Sequence, residues 1–545
     1  MTTTLYRNGR VRSPADPFAT ALLVDGETVA WVGSEAAADA MTADTTVDLE
    51  DGWLAPAFVD AHVHATTTGL SLVGLDLASA PSLAALLDRV EQAARRSRGG
   101  IVLGTGWEED GWPERRPPTA AELDRASYGG VVYLARTDCH SGVASSALLA
   151  AAPEAAALPG FEADGLVKEE AHSAVRKAAF AGLTPAQRRE AQRATRARAA
   201  SLGIACLHEC GGPGIDGEHD FAALLHLARD EPGPDVLGYW GELAQTGGIE
   251  RARDLGAHAV GGDLFADGSI GSRTACLTHR YDDADTLGYA YLDADQVTQH
   301  LVACTRAGLQ GGFHAIGDAA LTAVLDGCTA AAREVGLDVL RAARHRVEHV
   351  EIPLPRHVEQ LAQLGLLASV QPVFDSRWGG PDGLYAARLG QERTRTSNPF
   401  GALAAAGVPL AFGSDAPVTP LDPWGAVRAA VDHFTPGSRL SARAAFSAHT
   451  RGGWRAARID DTGELAPGTP ATFAVWDLAG ELVVQTPDDR VSAWSTDPRA
   501  GVAGLPDLSG PDPVCRRTVV RGRTVWSTVP GEVHEPVGGI SPDPA

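Results

Sequence analysis

The stretch Pro56-Ala57-Phe58-Val59-Asp60-Ala61-His62-Val63-His64 decides how this chain is read. The apolar run after Pro56 reads as a buried strand, and strand side chains alternate faces, so His62 and His64 point the same way. Two imidazoles converging at the end of a buried strand are costly without a partner, and a divalent metal is the commonest partner for such a pair. A bare H-x-H also arises by accident or as satisfied core histidines, so the reading depends on what the rest of the chain brings to the same place.

Working outward, short apolar runs alternate with segments of helical periodicity, the pattern of βα units on a parallel sheet. Strands are expected near 57–62, 203–208, 235–241, 258–265, 310–315, 345–350, 366–371 and 409–414, and helices are clearest at 186–202, 294–307, 319–335, 355–364 and 397–406. Eight such strands suit a closed (β/α)8 TIM barrel, which gives an α/β class with the barrel over 56–457. The interval from about 70 to 200 is far too long for a crossover and reads as an inserted subdomain. Residues 1–55 and 458–530 carry short strands between glycines. Separately they would leave open sheet edges, so they are expected to form one small discontinuous β-sandwich. The Pro- and Gly-rich end, 531–545, reads as a disordered tail.

The chain has 545 residues, 44% hydrophobic and 21% charged, with a formal net charge of -23. That balance speaks against a basic patch for nucleic acid or an anionic membrane, and leaves a small-molecule substrate as the expected partner. A homodimer is left open. The seven cysteines are odd in number, scattered, and include no C-x-x-C, so neither a disulfide framework nor a zinc ribbon is indicated. Arg7, Arg10 and Arg12 are followed by no apolar signal region, and no 18-residue apolar stretch occurs, which makes the cytoplasm the expected compartment.

In a barrel the C-terminal strand ends share one mouth, where the chemistry sits. Reading those ends gives His62 and His64, then Asp263 and Asp267, His314, His349 and Asp415. Singly, His314 and His349 could be structural and Asp415 a helix cap. Their common position makes a metal-ligand set the better reading, and nitrogen and oxygen donors built on imidazole suit zinc before iron or manganese.

On these residues the chain resembles the amidohydrolase superfamily, in the amidohydrolase-3 branch that contains the N-substituted formamide deformylases. The matching segments are PAFVDAHVH (56–64), LFADGSIGSRTACL (264–277), FHAIGD (313–318), RVEHVEI (346–352), GSDAPVTPLDPWGAV (413–427) and TGELAPGTPATFAVWD (462–477). Within the insertion, GWEEDGWPERRPPTAAELD (106–124) and TDCHSGVASSALL (137–149) match too. The resemblance implies a barrel with one or two divalent metals. It assigns His62 and His64 to the first strand, His314 to the fifth, His349 to the sixth and Asp415 to the eighth.

One ligand does not transfer. Relatives with two metals often bridge them through a carboxylated lysine on the fourth strand, and the aligned residue here is Asp263. The only two lysines, Lys168 and Lys177, lie off the barrel strands. Aspartate is much shorter, so Asp263 is expected to fall short of a bridge. The expectation is one tightly bound ion on His62, His64, His314 and Asp415, with His349 in support or holding a weaker second ion. The competing view is that Asp263 bridges after a backbone shift, or that a second metal simply binds loosely.

Water acidified in this site to a pKa near about 7 would attack a carbonyl or amidine carbon. Asp415 would take its proton and return it to the departing nitrogen, while His349 helps stabilise the oxyanion. The expected reaction is hydrolysis of a non-peptide C–N bond in an amide, formamide or cyclic amide. Deamination of a heterocycle and a catalytically inactive metal-binding barrel are the alternatives. Arg273 is a candidate for gripping the substrate, Trp107 for a lid with Trp112, and His140 for pointing into the mouth. Gly212-Pro213-Gly214-Ile215-Asp216-Gly217 fits a dinucleotide fingerprint formally, but Pro213 removes a backbone N–H from the phosphate cradle.

Overall fold

In a computed structural model of the chain, residues 2–97, 100–483, 503–529 and 531 are described. The stretch expected to be a disordered tail lies outside them apart from Gly531, as does 484–502 within the second sandwich segment.

The strand Phe58–Val63, buried at every residue, pairs in parallel with Ile204–Gly211, which pairs with Asp235–Trp240. Single bridges from Tyr239 to Ala259 and from Val260 to Gly311 carry the ring onward. Gly312–Ala315, Arg346–His349, Leu367–Val370 and Leu410–Phe412 then pair in parallel in that order. A parallel bridge between Val63 and Ala416 returns the ring to its start. Strands buried on both faces read as continuous apolar runs, which is why these segments stand out in the sequence. The segment expected at 258–265 is the exception: it makes bridges only, because Gly261 and Gly262 break the extended path with φ of 159° and 76°.

Helices wrap the ring. Pro185–Ser201 opens with a capping box between Thr184 and Gln187, and packs tightly on Ala65–Val73. A Cβ on Gly69 would lie 1.8 Å from the Ala191 carbonyl oxygen, so this crossing needs glycine. That contact fixes the helix following His64.

Between the first two barrel strands the chain builds a five-stranded sheet in the order Leu166–Lys168, Ser141–Ala144, Val132–Arg136, Val102–Trp107, Leu75–Asp76. The chain's two ends meet in another five-stranded sheet, where Phe473–Asp477 runs antiparallel to both Trp53–Pro56 and Val514–Val520. Among the described residues no helix is long and apolar enough to cross a membrane.

Candidate metal centre

His62 lies near the end of its strand and His64 just beyond, and both are tied to the last strand: Asp415 N donates to His62 O (2.8 Å) and His64 N to Ala416 O (2.9 Å). Asp60 adds to the seam by accepting from Ser414 N at 2.9 Å. His349 and Asp415 both have positive φ, 73° and 55°, a conformation that costs a non-glycine residue about 1–2 kcal/mol. Strain of this kind persists where the surroundings hold a side chain to a task.

The donors gather around Asp263. Its Oδ1 lies 3.4 Å from His62 Nε2, 3.3 Å from His314 Nδ1 and 3.5 Å from His349 Nε2, and its Oδ2 lies 3.1 Å from His64 Nε2. Asp415 Oδ1 is 3.2 Å from His64 Nε2 and 3.5 Å from His62 Nε2. Two groups share Asp263, one of His62, His64, Asp263 and Asp415 and the other of Asp263, His314 and His349, and a third brings Cys210 and Glu348 to His62.

Two expectations are thereby corrected. Asp263 does not fall short: it lies within reach of both groups, directly after the kink at Gly261-Gly262. A Cβ on Gly262 would press on Cys210 and Tyr239 at 3.0 Å, and one on Gly261 would lie 2.3 Å from Gly312 N, so only glycine permits that path. His314 does not share a group with His62, His64 and Asp415; it shares one with His349 and Asp263. Lys168 pairs with Glu162 and Lys177 is exposed on an insertion helix, so neither reaches this place.

Hydrogen bonds fix which ring nitrogen faces the centre. His62 Nδ1 donates to Glu348 Oε2 (2.9 Å), His349 Nδ1 to Gln371 Oε1 (2.9 Å), and His314 Nε2 to the Gly268 carbonyl (3.1 Å). Each acceptor leaves the opposite nitrogen with its lone pair directed inward, as metal-binding imidazoles require. His62 Nε2, His349 Nε2 and Asp415 Oδ1 are buried without a hydrogen-bond partner. The field there favours positive charge. Burial by itself lowers the His62 and His64 pKa values, yet the surrounding acidic groups, Asp263 and Asp415 chief among the carboxylates, raise both well above the ordinary range. Burial likewise works to raise Asp263 and Asp415, and the imidazoles around them outweigh it and lower both. Orphaned lone pairs, preset tautomers and an anionic field together fit divalent cations.

Other candidates are placed differently. Asp267 is saturated by the backbone N–H groups of Ile316 (3.0 Å), Gly317 (2.8 Å) and Cys276 (2.8 Å), so it orders a loop. Arg273 is not directed at the site: it grips both oxygens of Asp283, at 3.0 and 2.7 Å. Trp107 is no lid. It is buried in the insertion's own core beside Trp112, with Nε1 donating to Leu134 O at 3.0 Å. His140 does reach the mouth, where a cavity of about 310 Å3 is also lined by Asp263, His349 and Asp415. The Gly212–Gly217 loop lies at this mouth through Gly214 and Ile215.

Sequence reasoning missed the supporting residues Glu348 and Gln371. Glu348 precedes His349 and is held by the buried Arg346 through two hydrogen bonds, which, with His62 Nδ1, keeps it ionised despite burial, at a pKa of about 2. The Gly261-Gly262 pair ahead of Asp263 was the legible sign that this segment would not run as a plain strand.

The amidohydrolase family profile matches residues 45–526. The chain belongs to the amidohydrolase family. Among its relatives, Protein LONG AFTER FAR-RED 3 of Arabidopsis thaliana is 28% identical over 498 residues, covering 84% of each chain. The N-substituted formamide deformylase of Arthrobacter pascens is 24% identical over 458 residues, 77% of this chain and 82% of that protein. An uncharacterized metal-dependent hydrolase from Pyrococcus furiosus superposes with a TM-score of 0.68 at 26% identity, covering 87% of this chain and 98% of that one. This amidohydrolase thus shares its fold with metal-dependent hydrolases.

Proposed function

We propose that this amidohydrolase holds two divalent ions, zinc being the best match to the donors, and hydrolyses a non-peptide C–N bond of a small molecule. The observation that carries the reading is Asp263, whose carboxylate is the member shared by two donor groups, one with His62, His64 and Asp415 and the other with His314 and His349. One ion would rest on His62, His64 and Asp415, the other on His314 and His349, with Asp263 between them. Bound there, such ions acidify water to a pKa near about 7 and polarise an acyl oxygen.

The chain's own residues do the rest. Glu348, Gln371 and the Gly268 carbonyl hold three imidazoles in the binding tautomer, so no reorganisation is needed when substrate arrives. Asp415 takes the proton from water as its oxygen adds to the acyl carbon. It returns that proton to nitrogen as the C–N bond breaks, giving a carboxylic acid and an amine. The neighbouring cavity of about 310 Å3 gives the substrate room.

The test is turnover by the zinc-loaded protein of a panel of N-substituted formamides, linear amides, cyclic amides and amino-heterocycles, with carboxylate, amine and ammonia each measured. Amine with carboxylate is expected. Ammonia from a heterocycle alone would identify a deaminase, and two tightly held ions with no turnover across the panel would identify a metal-binding barrel without catalysis.

A further inference from the structure

The insertion reaches the mouth of the metal centre through the helix Glu169–Ala181 and through the turn between the strands Val132–Arg136 and Ser141–Ala144. Within the turn Cys139 has a φ of 55°, and Asp138 is buried and takes four donors. His140 N lies 3.1 Å from its Oδ1, while Arg136 Nη1 (3.0 Å), Ser269 Oγ (3.1 Å) and Ser272 Oγ (2.7 Å) converge on Oδ2. Ser269 and Ser272 belong to the loop that follows Asp263, so this carboxylate clamps the insertion to the barrel beside the metal donors. Arg136 is itself fixed by Glu109 and Asp110 at 2.9 Å each, which holds the clamp from behind.

The clamp sets the His140 ring against His314, 5.3 Å between centroids, and against Phe265 at 5.6 Å. The ring stands where two spaces meet. On one side is a narrow chamber lined by Phe374, Trp378 and Tyr385, and on the other the wider cavity that also borders Asp263 and Asp415. Neither ring nitrogen makes a hydrogen bond to any of the described residues. The other histidines of the centre each have a ring nitrogen within 3.5 Å of Asp263, whereas His140 has no carboxylate within ion-pairing reach among the described residues. It is therefore not placed as a ligand. It is placed to bond to whatever occupies the cavity.

We propose that His140 is a catalytic residue supplied by the insertion, its ring N–H donating to the acyl oxygen of the substrate, and that Asp138 is the positioning residue that holds it there. The inference rests on the hydrolase reading above. Either protonation state of an imidazole carries an N–H, so the role does not depend on titration. A preorganised donor aimed where negative charge develops is among the larger contributions a protein makes to acyl transfer, and fixing it from outside the barrel avoids crowding the metal donors.

The experiment compares wild type, His140→Ala, His140→Gln and Ser272→Ala as zinc-loaded full chains. It measures metal content, kcat and KM on the best amide, and calorimetric affinity for acetohydroxamate, a carbonyl-bearing chelator. His140→Ala should lower kcat about 100-fold with KM little changed, weaken acetohydroxamate about tenfold, and leave metal content at the wild-type value. His140→Gln, which retains an N–H donor, should recover at least about tenfold of the lost kcat. Ser272→Ala, which loosens the clamp, should fall between wild type and His140→Ala. Wild-type kcat and acetohydroxamate affinity in His140→Ala would overturn the proposal, and so would loss of metal in step with activity, which would make the residue structural. Should wild type turn over no amide, the hydrolase reading fails by itself and the acetohydroxamate comparison still decides for or against His140.

Discussion

Two sets of buried imidazoles in this protein are equally shielded from solvent and chemically opposite. His62 and His314 at the barrel mouth are 0% and 1% exposed, and His300 and His345 behind the strands are also 0% and 1% exposed. The second set is satisfied by backbone and hydroxyl groups. His300 Nδ1 accepts from Ala244 N (3.0 Å), His345 Nδ1 from Gly311 N (2.8 Å), and His449 Nδ1 donates to Val59 O (2.9 Å). With no carboxylate beside them, burial pushes their pKa values down to about 4, 3 and 4. At the mouth the same burial is overcome by acidic neighbours, and His62 and His64 move the other way. Depth inside the protein therefore does not separate these two sets; the acidic groups beside His62 and His64 do.

That contrast breaks most visibly by removing a mouth imidazole. His64→Ala should cost at least about 100-fold in turnover, since even residues that merely orient ligands are worth 10–100-fold, and elemental analysis should find less metal. Retention of both metal and activity would erase the distinction between the two sets.

A smaller effect is expected from Glu348→Gln, which touches no ion but keeps His62 in its tautomer through a 2.9 Å bond. Chelator competition should show metal bound about 10-fold to 100-fold more weakly. Unchanged affinity would mean that the Arg346–Glu348 pair serves the barrel interior alone.

The second set is sharpened by pH. The folded-state pKa of His449, about 4, lies below the unfolded value of 6.5, so between these limits the unfolded chain binds the extra proton. Its contribution is present in full above pH 6.5 and is lost as pH falls towards 4. His449→Asn retains a donor for Val59 O without titrating. Denaturant titrations should show wild type losing up to about 3 kcal/mol more than the variant across that window. Identical pH dependences would show that burial does not hold this imidazole neutral.

Much of this was legible in the sequence because buried parallel strands write themselves as apolar runs, and because seven His or Asp residues fall at five of those strand ends or in the loops that follow them. The family followed from the same segments. What escaped has a common cause: it depends on where the backbone leaves regular geometry or on which atom faces which. Asp263 was judged by side-chain length on a regular strand, whereas the strand is interrupted at Gly261 and Gly262 and the carboxylate lies within both donor groups. Arg273 and Trp107 were judged by residue type in a promising segment, whereas Asp283 and the Leu134 carbonyl claim their polar atoms. Glu348 and Gln371 carry no motif of their own, and only the distances to His62 and His349 give them a role.

The central claim is that one short carboxylate, Asp263, joins two sets of donors into a two-metal centre. Elemental analysis of the purified full chain after zinc loading and exhaustive dialysis, run beside Asp263→Ala, tests it most directly. The account predicts about two ions per wild-type chain, one or none in the variant, and the same loading with or without bicarbonate, since no lysine carbamate takes part. A single ion in wild type that survives unchanged in Asp263→Ala would contradict it.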